Sequence, residues 1–266
     1  MSRIKLYGFT GSNSVYTGRL MLEHKGIAYD FVKLPPAAHA MILLARGFPT
    51  TGAPALKIGD RRLQGTRWIA RALDELYPRK PLFPADPERR LAVEHAERWG
   101  EELQNATRRI FYCAGRRDVS AFMSVLGAGR GPVNRAMLRM FAPVIMRLAS
   151  GVHRATDEAG REDIALLPER LDQIDRWIAE GLLDGEELNA ADFQIAVNVS
   201  GMLLSDDLAP FIEGRPAAAL ARRVAPDYAG HLAAIIPDEW MQPLRAAAGA
   251  AADDAEVGAL PQPGRG

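Results

Sequence analysis

The sequence predicts a small mixed α/β domain followed by an all-helical one. Three observations carry this. Strand-like and helix-like segments alternate through the first 80 residues, a proline-rich polar stretch (PRKPLFPADPERR) follows at 78–90, and no convincing strand pattern appears beyond it. The expected boundaries are 1–80 for the first domain, 81–90 for a linker, 91–244 for the helical domain and 245–266 for a disordered tail.

Taken in order, Ile4 to Phe9 reads as a strand, and Thr10-Gly11-Ser12-Asn13-Ser14 is a turn cluster. Val15 to Lys25 is a helix closed by Gly26, and residues 27–32 alternate as a second strand. Pro35-Pro36 interrupts the pattern before a short apolar helix from His39 to Arg46. Between Phe48 and Leu73 lie a proline-punctuated entry, a strand holding Ala55, Leu56 and Ile58, a Gly59-Asp60 turn and a second strand from Arg61 to Gln64. Thr66 is then expected to cap a helix with Ile69, Leu73 and Leu76 on one face, ended by Pro78. The order implies a parallel first strand pair and an antiparallel hairpin for the last two.

In the second half, Leu91 to Arg109 has helical spacing, with Trp99 and Leu103 four apart, and a glycine-rich break (GAGRGP) lies between Gly115 and Asn134. Ala136 to Leu148 reads as a helix kinked or split by Pro143. Asp163 to Leu182 reads as one amphipathic helix with Leu167, Leu171, Ile174 and Ile178 as its stripe. Asn189 opens a helix through Val199, and another covers Ala217 to Val224.

Composition narrows the function classes. The 266 residues are 48% hydrophobic and 25% charged, ordinary for a globular chain. No window approaches the roughly 18 consecutive apolar residues of a membrane span, and the N-terminal residues lack the apolar run of a secretory signal, so a cytoplasmic location is expected. A single cysteine, Cys113, excludes an intramolecular disulfide, a paired-thiol redox motif and a multi-cysteine metal site; no metal is expected. Net charge is zero, yet residues 1–85 hold 13 Lys/Arg against 5 Asp/Glu, so the first domain attracts small anions. Without a stacking run or nucleic-acid motif, that surplus does not point to nucleic acid.

The pattern resembles the soluble glutathione transferases, which join a thioredoxin-like N-terminal domain to an all-α helical bundle. Leu6-Tyr7-Gly8-Phe9-Thr10-Gly11-Ser12 is similar to the LYxxPGS start of serine-type members, with Thr10 in place of the proline. Pro49 and Pro54 fit the family's NPxxxVP segment, which makes Pro54 the expected cis-proline. Gly65-Thr66 stands where the family has an acidic or amide residue followed by serine, and Leu188 to Asp192 resembles its helix-capping segment, with Asn189 as the cap.

The resemblance implies binding of glutathione, or a related low-molecular-weight thiol, and attack on a hydrophobic electrophile. Ser12 is placed to lower the thiol pKa at the start of the first helix, with Asn13 and Ser14 as close rivals. Gly8 occupies the place of the catalytic tyrosine of tyrosine-type members, and Tyr7 should face the other way. Ala53 would offer its backbone to the tripeptide, Thr66 would bind the γ-glutamyl carboxylate, Arg67 would add charge and His39 would reach the glycine carboxylate. Gly65 lacks the side chain that would meet the γ-glutamyl amino group, a loss of roughly 1.5–3 kcal/mol. Met123, Met137, Met140 and Phe141 are candidates for an apolar wall; with Arg135, Arg139 and Arg147 the same stretch alternatively suits a membrane surface. A homodimer is expected from the resemblance. The competing readings are a non-catalytic protein of the same fold and a glutathione-dependent isomerase.

Overall fold

The computed structural model describes residues 4–35, 38–118, 143–144 and 146–249. Four short strands, β1 (Lys5–Gly8), β2 (Asp30–Lys33), β3 (Ala55–Ile58) and β4 (Arg61–Gln64), form one sheet in the order β2-β1-β3-β4. β1 and β2 are parallel, joined by α1 (Asn13–His24), and β3 and β4 pair as an antiparallel hairpin. The expected topology is therefore observed. β1 is covered on both faces: Leu6 packs with Met21 and Leu22 of α1, whereas Tyr7 packs with Leu34, Leu43, Phe48 and Ala55 beside α2 (His39–Ala45). Tyr7 meets Phe48 edge to face at 5.4 Å and so points away from α1.

α3 (Thr66–Leu76) presents Ile69 and Leu73 to the core. Its cap is Gly65, at φ +83°, and Thr66 is the first helical residue, not the cap expected from the sequence. A positive φ suits glycine, and no sequence pattern announces it.

The proline-rich stretch is docked on both domains. Lys25 Nζ, at the end of α1, donates to Asp74 Oδ1 of α3 (2.7 Å) and to the Lys80 carbonyl. Asp74 also accepts from the N–H groups of Leu82 and Phe83, and both of these side chains are buried. The Leu82 carbonyl in turn accepts from Ala190 N–H in the helical half. An ion pair this withdrawn from water holds because its remaining lone pairs and protons are bonded.

α4 (Pro87–Arg117) starts earlier and ends later than the sequence pattern suggests, with Asp86 capping it through Arg89 N–H at 2.8 Å. It packs along α7 (Ala190–Leu203), where an added Cβ at Gly100 would come within 2.9 Å of Gln194 and Ile195. Between them in sequence, residues 146–152 are helical, followed by α5 (Asp157–Ala165) and α6 (Leu167–Ala179). The single helix expected over Asp163–Leu182 is thus broken at Leu166, because Pro168 brings no N–H and its ring excludes the preceding turn. Asp163 receives Arg109 through two bonds of 2.6 and 2.9 Å and Arg170 through a third, fastening α5 to α4 and α6. Short α8 (Ala209–Ile212) and α9 (Pro216–Val224) complete the bundle. The tail expected to be disordered from residue 245 begins as a helix at 242–249, favoured by its alanines and anchored by buried Met241 and Leu244. Residues 250–266 lie outside the described residues.

α7 begins in a complete capping box: Asn189 Oδ1 accepts from the Ala191 and Asp192 N–H groups, and Asp192 accepts from the Asn189 and Asp184 N–H groups. Burial outweighs those bonds and pushes the Asp192 pKa up to about 6. A raised carboxylate pKa means that the folded chain binds the extra proton. This stability contribution is present below the unfolded value near ~3.9 and lost as pH rises through about 6, an effect of roughly 3 kcal/mol. Urea denaturation of wild type and Asp192→Asn across that range should show a falling profile in the former and a flatter one in the latter; parallel profiles would contradict the assignment.

Candidate functional site

The end of β1, the first turn of α1, the 49–54 loop and the start of α3 converge on one edge of the first domain. The Ala53–Pro54 peptide is cis, as the proline spacing suggests. Pro54 sits against α1 opposite Gly18, and its carbonyl accepts from Gly65 N–H at 3.0 Å, which ties the loop to the α3 entry. Among the described residues, neither the N–H nor the C=O of half-buried Ala53 has a hydrogen-bond partner. An extended backbone with both groups open is an edge at which a peptide-like ligand can pair.

A residue not singled out from the sequence shapes that edge. The Gln64 amide accepts from Thr50 N–H (2.8 Å) and donates to the carbonyls of Thr50 (2.8 Å) and Gly52 (2.7 Å). It therefore clamps the backbone just before Ala53. Its residue type at a strand end carries no signal for such a role.

The three polar residues at the start of α1 have different surroundings. Ser12 is the N-cap, with its Oγ accepting from Val15 N–H at 3.5 Å. Its hydroxyl proton has no acceptor among the described residues. Asn13 is fully committed: Nδ2 donates to Asn198 Oδ1 of α7 (3.0 Å), and Oδ1 accepts from the Tyr228 hydroxyl. Ser14 is buried against α4 and accepts from Arg108 at 2.7 Å. With the Gln104 amide oxygen turned towards α1, that oxygen accepts from both the hydroxyl and the N–H of Ser14, at 2.8 and 3.0 Å. Ser12 alone of the three thus presents a half-exposed hydroxyl with a free proton beside the positive end of a helix.

At α3, Thr66 is buried and no side chain caps the helix, so the first-turn amides are open to an anion. Arg67 turns to α4, with nitrogens 3.6 Å from Glu97 and 3.7 Å from Glu101, and shares its charge with those carboxylates. Arg71 bonds Glu97 at 2.8 Å, although burial remains the larger influence and raises the Glu97 pKa. His39, at the start of α2, packs its ring 5.2 Å from Phe9 at the end of β1.

Cys113 is buried, its thiol faces the Thr156 carbonyl at 3.1 Å, and burial raises its pKa, which suits a core residue. Among the described residues no group of three His, Cys, Asp or Glu is placed to hold a metal ion, and no helix is long and apolar enough to cross a membrane. Met123, Met137, Met140, Phe141, Arg135 and Arg139 lie outside the described residues. Arg147 lines an open cavity of about 330 Å³ with Arg116, Pro143 and Met146. A second open cavity, of about 440 Å³, lies between α7 and α9 and has Tyr228 in its lining.

Residues 6–81 match the glutathione S-transferase N-terminal domain family. No curated protein matches the chain. Among solved structures, the fold is similar to that of the beta-etherase LigF from Sphingobium (16% identity, 84% of this chain and 95% of that one, TM-score 0.61). A glutathione transferase from Populus trichocarpa is similar over 84% of this chain and 93% of its own, at 16% identity and TM-score 0.57. So is a glutathione S-transferase from Methylobacterium radiotolerans in complex with glutathione sulfonate (21% identity, 85% and 92% covered, TM-score 0.52).

Because Asn13 joins α1 to two partners from the helical half, its removal strands both. Asn13→Ala should lower stability by about 1–3 kcal/mol in chemical denaturation, and a change within ±0.5 kcal/mol would show that the junction does not depend on it.

Proposed function

We propose that this chain, whose residues 6–81 match the glutathione S-transferase N-terminal domain family and whose fold is similar to that of solved glutathione transferases, is a thiol transferase. In this reading the first domain binds glutathione, or a related low-molecular-weight thiol, and directs its sulfur at a hydrophobic electrophile. The observation that carries it is the uncommitted Ser12 hydroxyl at the first turn of α1. Ser12 donates a hydrogen bond to the sulfur, and the helix end adds partial positive charge; both favour the ionised thiol at neutral pH. Ala53 pairs its open N–H and C=O with the cysteinyl backbone, and the uncapped α3 amides, with Thr66, receive the γ-glutamyl carboxylate. Pro54 and Gln64 hold that edge in place. His39 stands near the entrance, and Arg67 supports α4 more than the ligand. A cytoplasmic homodimer belongs to the same reading; Trp68 on α3, 69% exposed, supplies apolar area for a partner copy.

Gly65 favours the rival, a binding protein of this fold without catalysis, because no side chain at that position can meet the ligand's amino group. Calorimetric titration with glutathione separates the two, and absence of binding up to millimolar concentration would overturn the transferase reading. With binding in hand, Ser12→Ala should lower kcat/KM for conjugation of chlorodinitrobenzene about a hundredfold. An unchanged rate would remove Ser12 from the mechanism.

The Gly65 position also allows a gain-of-function test. Among the described residues only Trp68, at 3.9 Å, would touch an added Cβ there, so the cost of Gly65→Glu is the strain of an extended, positive-φ backbone, about 1–3 kcal/mol. The restored carboxylate should tighten glutathione binding about tenfold by calorimetry, accompanied by a lower melting temperature. Weaker binding would mean that the Gly65 edge does not face the ligand.

A further inference from the structure

Among the described residues, α4 carries one cation beside α1 that no acid neutralises. Arg108 donates from one Nη to Ser14 Oγ (2.7 Å) and from the other to Asn105 Oδ1 (3.2 Å), and both acceptors are neutral. Among the described residues no carboxylate oxygen lies within ion-pair distance of its guanidinium. Glu101 acts on it only from farther off and lies 3.7 Å from Arg67. The side chain is half-buried, and loss of solvent around the guanidinium lowers its pKa. Tyr112, one turn along α4, stacks on His153 at 5.3 Å; burial and then the Arg108 charge lower the His153 pKa, so this neighbour also supplies no negative charge.

The sequence adds a second observation. From Val119 through Thr156 the chain contains Arg130, Arg135, Arg139, Arg147 and Arg154 and not one Asp or Glu. Residues 119–156 therefore have no carboxylate to offer Arg108. A cation withdrawn from water and bonded only to neutral groups is costly unless an anion joins it in the working complex. Its planar fork matches a carboxylate.

We infer that the acceptor substrate carries a carboxylate, which pairs with Arg108 beside the first turn of α1. The inference takes the word substrate from the transferase reading, but the anion preference itself is measurable without a thiol.

The test is calorimetric titration of wild type, Arg108→Lys and Arg108→Gln with a chloronitrobenzoate and with its uncharged amide, thiol absent, after melting curves confirm folding. Wild type should bind the acid about tenfold or more tightly than the amide. That preference should shrink in Arg108→Lys, which keeps the charge and loses the fork, and vanish in Arg108→Gln. Equal affinities in wild type, no binding of either compound up to millimolar concentration, or a preference that survives in Arg108→Gln overturns the inference. So does competitive displacement of the acid by glutathione, because the carboxylate sensed would then be the tripeptide's own. If Arg108→Gln does not fold, the wild-type comparison and the lysine variant decide. An intact acid preference in a protein that does not bind glutathione up to millimolar concentration would defeat the transferase reading and leave the Arg108 anion site standing.

Discussion

The first turn of α1 is held by hydrogen bonds from the helical half of the chain. Asn198 and Tyr228 take both ends of the Asn13 amide, and Gln104 and Arg108 take Ser14. Each such bond contributes only about 1 kcal/mol net, but together they fix the direction of a helix end whose partial charge acts over a short range. The orientation of Ser12 therefore depends on residues that lie 90 to 215 positions from Ser14 and Asn13 along the chain. The docked 78–86 stretch, pinned by Lys25 and Asp74 and bonded to Ala190, joins the same two halves.

Under the proposed function, recognition opposite α1 rests on main-chain groups. The open N–H and C=O of Ala53 and the uncapped amides of α3 need no particular side chain, only a backbone kept in position. Gln64 and the Pro54–Gly65 bond provide that support. Gly65 fits the same logic. At φ +83° it allows the sharp entry to α3 while leaving the helix end without a side-chain cap.

Most of the first domain was legible in the sequence because its signals are local. Residue alternation marks β1, Gly59-Asp60 marks the hairpin, and the interval from Pro49 to Pro54 marks the cis bond that the structure contains. Asn189 announced its capping box for the same reason. The failures were of two kinds. Pro168 stands within an apolar stripe that runs through the break and hides it, and Thr66 reads as the α3 cap because a positive φ at Gly65 leaves no trace in composition. The site was less legible than the fold. Ser12, Asn13 and Ser14 are chemically similar neighbours, and what separates them is a set of partners from α4, α7 and the segment after α9. Neither Arg108 nor Gln64 had a motif to mark it.

The position of Cys113 bears on how such a protein survives its own chemistry. A cleft that gathers electrophiles exposes every accessible thiol around it to alkylation, and the damage accumulates with turnover. Here the one sulfur of that kind is shut in the core behind α5, and its raised pKa leaves little thiolate to react. Under the proposed function, durability follows from burial: the nucleophile is brought in with each cycle and leaves with the product, and the chain offers no competing one of its own.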